Sequence, residues 1–234
     1  MSIAADIKES VRSYINRQNT VRTELKTTLE SIVSELPETV IFGGMIRDFA
    51  LGDARNFLSD IDLVSLGSKE VIAKAVAVYR PVQNKFGGFR FVANKQVYDL
   101  WAFEDTWAFR QGHVDGKKLE DLLKTTFFNV DASAYSLTSD CIYISEECLA
   151  GIESRVLEIN LPINPAPQQM VKRAIRYGLE KDFSIGPKLA AYMVKRINLH
   201  HLDRMSCAFM LGLKEHVERG YTYPYEFTYQ PSLF

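Results

Sequence analysis

The run Val40-Ile41-Phe42-Gly43-Gly44-Met45-Ile46-Arg47-Asp48, followed by Ser59-Asp60-Ile61-Asp62-Leu63-Val64, constrains this chain more than any other stretch. It predicts a strand, a Gly-Gly turn, a short helix and a second strand carrying two carboxylates two residues apart. Side chains alternate along a strand, so Asp60 and Asp62 share one face while Ile61 and Leu63 point into the core. Two neighbouring carboxylates repel and call for a compensating cation. Oxygen-only donors favour a hard ion such as Mg²⁺, which commonly sits between one or two carboxylates and the phosphates of a substrate. Gly43-Gly44 lets the backbone approach a phosphate, and the helix that follows offers it unpaired N–H groups. Together the two halves predict chemistry on a nucleoside triphosphate. Taken singly, each also has a plainer reading, as a solvated strand end and as a tight turn.

A chain of 234 residues with 47% hydrophobic and 24% charged content is long enough to bury a proper core and has ordinary globular composition. No apolar run is long enough to span a bilayer, and the N-terminus lacks the pattern of a signal peptide. Cys141, Cys148 and Cys207 have no metal-type spacing, which suits a reducing cytoplasm, and cytoplasmic location with no membrane partner is expected. The net charge of −1 is unevenly distributed: residues 165–234 carry 10 Lys+Arg against 6 Asp+Glu, and residues 1–164 carry 18 against 23. A basic C-terminal part beside an acidic metal-binding part suits an anionic substrate, although a difference this small is also ordinary surface variation.

Residues 3–35 read as helical, with Ile7, Val11, Tyr14, Ile15, Leu25, Leu29, Ile32 and Val33 at three-to-four spacing, and Pro37 ends the segment. A helix is predicted over 69–79. The stretch 82–93 reads as a hairpin-like piece with a Gly-Gly turn, and Gln96 to Phe103 as a strand with Asp99 in an apolar run. Strand, helix, strand, helix, hairpin and strand in that order predict a mixed α/β (α+β) sheet with packed helices. Pro162, Pro165 and Pro167 mark the expected boundary between a domain over 1–164 and a smaller helical domain over 165–234.

Gly43 to Gly52 followed by Asp60-Ile61-Asp62 resembles the signature of the nucleotidyltransferase superfamily, Gly-Gly-x-apolar-Arg-Asp-x-x-Leu-Gly and then Asp-x-Asp. Within it the likeness is to the catalytic head of poly(A) polymerases and CCA-adding tRNA nucleotidyltransferases. The resemblance implies a nucleotidyltransferase-type mixed sheet followed by a helical neck. It also implies two-metal transfer of a nucleoside monophosphate to an acceptor hydroxyl, with Mg²⁺ as cofactor and Mn²⁺ as its stand-in. Asp60, Asp62 and Asp99 are then the catalytic carboxylates and metal ligands. Asp99 matches the place of the family's third acidic residue; capping a turn or pairing with an arginine is the alternative role for it. Gly43, Gly44, Arg47 and Asp48 are expected at the nucleotide, the Arg47-Asp48 pair being equally compatible with a salt bridge that supports the fold.

Further along, Phe128-Asn129-Val130-Asp131-Ala132-Ser133-Ala134-Tyr135 resembles a family segment, but the Arg-Arg-Asp that contacts ribose there is Thr125-Thr126-Phe127 here. Arg173-Ala174-Ile175-Arg176-Tyr177 resembles the neck helix, which makes Arg173 and Arg176 candidates for gripping nucleotide; a solvated helix face is the other reading. The base-reading Glu-Asp-x-x-Arg element is replaced by residues 166–170. The likeness covers roughly 35–185, leaving little chain for domains that measure tRNA. The expected partners are an NTP and an acceptor, which is RNA or tRNA on the family likeness. A small molecule or protein is the alternative acceptor, as in resistance or toxin systems, and a non-catalytic nucleotide-binding module is the second alternative. Phe86-Gly87-Gly88-Phe89-Arg90 reads either as a loop over the nucleotide or as a hairpin turn.

Overall fold

In a computed structural model, residues 2–16, 20–53, 57, 59–196 and 202–228 are described. The chain divides into two compact units, one of residues 1–126 with 131–149 and the other of 127–130 with 150–234. The proline-rich segment lies inside the second unit.

In the first unit, α1 (Ile3–Asn16) and α2 (Thr20–Ser34) precede β1 (Thr39–Phe42), α3 (Gly44–Ala50), β2 (Ile61–Ser65) and α4 (Lys69–Val76). A 3₁₀ turn at Ala77–Tyr79 leads to β3 (Val82–Gln83), β4 (Phe89–Ala93) and β5 (Gln96–Ala102). The short α5 (Trp107–Arg110), a 3₁₀ helix at Leu119–Thr125, β6 (Ser133–Ser136) and β7 (Ile142–Ile144) follow, and the division between the units falls within α6 (Glu146–Glu153). The strands form one mixed seven-stranded sheet in the order β3-β4-β5-β2-β1-β6-β7. Among the described residues its one parallel pair is β2 with β5, joined through α4 and the β3–β4 hairpin as a parallel pair requires a crossover.

The sheet has two unlike faces because its strands alternate. Ile41, Ile61, Leu63, Phe89, Phe91, Tyr98 and Leu100 point to one face and join Ile7, Val11, Leu29, Ile32, Met45, Ile46, Phe49 and Ile72 of the helices in one core. On the other face Asp62, Asp99 and Trp101 are part-buried, and Arg90 and Val92 are exposed. The helices therefore cover the apolar face and leave the charged face of β4, β5 and β2 open.

The second unit holds β8 (Val156–Leu157), α7 (Pro167–Glu180), β9 (Ser184–Ile185), α8 (Pro187–Arg196) and α9 (Arg204–Glu218). Pro at the start of α7 suits a position whose N–H has no helical partner. Val171, Ala174, Ile175 and Tyr177 of α7 are buried, as are Leu189 and Met193 of α8 and Phe209, Met210 and Leu213 of α9. Glycine is required at 178, where a Cβ would lie 2.6 Å from the Phe209 ring. The Glu158 carboxylate accepts from the backbone N–H groups of Ile159, Lys188 and Leu189 at 2.7, 3.0 and 2.7 Å, tying β8 to the start of α8.

Candidate active site

The turn after β1 is built on Gly43. Its φ of +69° is the left-handed region in which a Cβ is costly, and a Cβ there would also stand 3.4 Å from the Asp131 carbonyl oxygen. The Gly43 N–H donates to the Ser133 carbonyl at 2.9 Å, and the Gly43 carbonyl accepts from Ile46 and Arg47 at 3.0 and 3.2 Å, which starts α3. At Gly44 a Cβ would have only ordinary contacts, 3.6 Å to the Arg47 guanidinium, so packing alone does not demand glycine there.

Arg47 and Asp48 point into the protein. Their relative exposures are 3% and 5%, and that of Asp131 is 7%. The Arg47 Nε donates to Asp48 Oδ1 at 2.8 Å, Nη2 lies 2.8 Å from the same oxygen, and Nη1 pairs with Asp131 Oδ1. The guanidinium thus links α3 to the segment before β6 beneath the Gly43 turn. Asp131, which stands where the family segment carries Asn, is the partner that the sequence did not reveal.

The three expected carboxylates lie on the open face. Asp62 of β2 is the cross-strand partner of Asp99 of β5. Asp60 immediately precedes β2, two residues before Asp62 and on the same side. Because Ile41 pairs with Leu63 in the antiparallel β1–β2 ladder, the Gly43-Gly44 turn leaves the sheet at the end where Asp60 enters it. Turn and carboxylates therefore share one end of the sheet.

A fourth charge completes the row. Arg90 of β4 pairs in register with Asp99. Its Nε donates to Asp99 Oδ1 and Oδ2 at 3.1 and 3.2 Å, its Nη2 to Asp99 Oδ2 at 2.7 Å, and the same Nη2 pairs with Asp60 Oδ2. Hydrogen bonding and charge from Asp99 foremost raise the Arg90 pKa, with further contributions from Asp60 and Asp62. The side chains of Arg90 and Asp60 are 52% and 43% exposed, so the site faces water. Arg90 was legible in principle. Asn94 and Lys95 both have positive φ, 50° and 65°, as a two-residue type I′ hairpin demands, and that turn sets 93 opposite 96 and so 90 opposite 99.

The donor set, all carboxylate oxygen and partly solvated, suits a hard divalent ion, and a cation already bridges Asp60 and Asp99 in the form of Arg90. Among the described residues no group of three or more His, Cys, Asp or Glu side chains is gathered to hold a metal ion. The site therefore fits an ion on two carboxylates, the usual share for Mg²⁺ bound with substrate phosphates, better than a three-carboxylate cage.

Around the row, Trp101 of β5 meets Phe42 of β1 edge-on at 6.2 Å between ring centroids. Residues 84–88 form the β3–β4 turn, with the Asn84 side chain accepting from the N–H groups of Phe86 and Gly88 at 2.9 and 3.1 Å. Thr125 and Thr126 turn their hydroxyls to the carbonyls of Leu122 and Leu123 at 2.7 and 3.5 Å and serve the 3₁₀ helix they end. In the second unit, the Arg173 Nε donates to the Tyr177 hydroxyl at 2.7 Å and its guanidinium lies 6.0 Å from the Phe128 ring centroid. Arg176 is exposed, 5.9 Å from the Tyr177 ring centroid.

No protein-family model matches this chain, and no curated protein matches it. Solved structures do. A Thermotoga maritima CCA-adding enzyme complexed with tRNA is 18% identical over 92% of this chain and 51% of its own, with a TM-score of 0.61. A CCA-adding enzyme with CTP is 18% identical over 91% and 51%, with a TM-score of 0.62. A tRNA-processing enzyme in its apo form is 17% identical over 87% and 58%, with a TM-score of 0.55. The chain spans about half the length of these structures. It has their nucleotidyltransferase-type fold.

Proposed function

We propose that this chain transfers a nucleoside monophosphate from a nucleoside triphosphate to an acceptor hydroxyl and releases pyrophosphate. The observation that carries the reading is the meeting of the Gly43-Gly44 turn and the Asp60, Asp62 and Asp99 face at one end of the sheet. In the reaction the acceptor oxygen gives up its proton to water and bonds to the α-phosphorus as the bond to the bridging oxygen breaks, and pyrophosphate carries away the electron pair. Little covalent chemistry falls to the protein, whose task is positioning and charge neutralisation.

Each residue then has a role. Asp60 and Asp62 would hold a divalent ion, Mg²⁺ or Mn²⁺, which when bound would supply neutralisation of the triphosphate charge. Gly44, free of any packing demand for glycine, lets the triphosphate close to the backbone. Arg47 and Asp48 fix the turn from below through Asp131. Asp99 supplies the third carboxylate and Arg90 the positive charge between it and Asp60. Arg176, exposed on α7, is the second unit's candidate for a nucleotide or RNA phosphate, and Arg173 is the candidate beside it, held by Tyr177.

For the acceptor we propose an RNA 3′ hydroxyl. The fold likeness to enzymes solved with tRNA and with CTP supports this, as does the basic balance of residues 165–234. A protein or small-molecule hydroxyl is the second reading. It is favoured by Thr125-Thr126, whose hydroxyls serve their own helix where the family places ribose-reading charge. The test is incubation with each α-labelled NTP and Mg²⁺, with RNA, protein and small-molecule acceptors in parallel. Label on one acceptor class with pyrophosphate released identifies the reaction; NTP bound but never transferred overturns it.

A further inference from the structure

Three carboxylates and one guanidinium share the open face, and the guanidinium is fixed by backbone geometry. The two-residue turn at Asn94-Lys95 locks the β4–β5 register, and that register sets Arg90 opposite Asp99. Arg90 makes three hydrogen bonds to Asp99 and reaches Asp60 with the same Nη2. Most exposed ion pairs are weak, but an arginine held by both oxygens of one carboxylate and by a second acid belongs to the networked class that is not. Arginine also keeps its charge at any working pH.

We propose that Arg90 is a resident cation that takes the place of a second metal ion, so that the site binds one divalent ion, on Asp60 and Asp62. The proposal rests on the divalent-ion reading of the site given above. Asp99 is then the anchor of Arg90 rather than a metal ligand. Asp62 lies beside this pair in the same row and, with Asp60, faces the ion that arrives with the triphosphate. The absence of a three-ligand group among the described residues agrees with this division of labour. A tethered guanidinium costs no binding event, and it keeps the three carboxylates from repelling before the substrate is bound.

The test is ion stoichiometry on the full chain, read by electron paramagnetic resonance of Mn²⁺ with a triphosphate analogue that cannot be cleaved between the α and β phosphates. Wild type is expected to hold one Mn²⁺ and Arg90→Met two, and Arg90→Met with Asp99→Asn one again. Arg90→Gln, a shorter polar side chain without charge, gives the same count as Arg90→Met and guards against misfolding of either variant. Thermal melts confirm that each variant is folded. Two ions on wild type, or one on both Arg90 variants, overturns the proposal. No ion on wild type and none on the variants overturns the divalent-ion reading beneath it, a distinct outcome.

Discussion

Arg47 and Asp131, 84 positions apart in sequence, form a buried ion pair beneath the Gly43 turn, with Asp48 on the other side of the same guanidinium. The pair joins α3 to the segment before β6. The turn that would receive a phosphate is therefore braced by charge as well as by the sheet.

Removing the cation from this cluster leaves two buried carboxylates without it. Arg47→Met is expected to lower unfolding free energy by about 3–5 kcal/mol, measured by urea denaturation. Asp131→Asn keeps an acceptor toward Arg47 and is expected to cost less. A loss below about 1 kcal/mol for Arg47→Met would show that the cluster does not brace the turn.

Asp121 gives the first unit an acid-sensitive point. Its carboxylate accepts from the Lys124 ammonium at 2.8 Å and from the backbone N–H groups of Lys117 and Lys118 at 3.0 and 3.1 Å. The Lys124 bond foremost, then the Lys117 N–H, hold its pKa down to about 2. A carboxyl depressed in the folded state contributes stability above its unfolded pKa and loses it as pH falls through the folded value. The contribution, of order 2 kcal/mol at neutral pH, should therefore fade between about pH 4 and pH 2. Asp121→Asn is expected to flatten that part of the stability-against-pH curve; an unchanged slope would refute the assignment.

The thiols should react in order of exposure. Cys141 is exposed, whereas Cys148 is buried and its thiol is pushed up to about 12, chiefly by burial and then by the charge of Asp131. A thiol reagent at neutral pH is expected to label Cys141 in the folded protein and Cys148 only in urea. Equal labelling of both without denaturant would contradict this packing.

The helix that closes the second unit starts on Asp203, whose carboxylate accepts from the N–H groups of Met205 and Ser206 at 2.9 and 3.0 Å. Asp203→Ala is expected to cost about 1 kcal/mol, seen as a lowered melting temperature. No shift would mean that α9 does not depend on this cap.

The sheet was legible because its information is local. Alternation placed Ile61 and Leu63 inside and Asp60 and Asp62 outside, and an acid in the apolar run of β5 marked Asp99. The Gly-Gly motif at 87–88 was ambiguous between loop and turn until the β3–β4 pairing decided for the turn. What the sequence withheld were partners set by distant register. Arg47 pairs with Asp131 through the β1–β6 neighbourhood, which no spacing encodes. Arg90 sits opposite Asp99 through a hairpin whose length was readable, although nothing in β4 alone marks Arg90 as more than a solvated side chain. Arg173 shows the same limit, because its place over Phe128 depends on tertiary packing.

On the proposed function, Asp60 and Asp62 serve metal-assisted transfer of a nucleoside monophosphate. The most direct test of this compares wild type with Asp62→Asn, a change that keeps the side-chain volume, in single-turnover transfer of label from an α-labelled NTP in Mg²⁺. Wild type is expected to transfer label and the variant to do so at least about 10²-fold more slowly, the scale of losing a principal charge-stabilising group, with the melting temperature unchanged. Transfer by Asp62→Asn at the wild-type rate would contradict it.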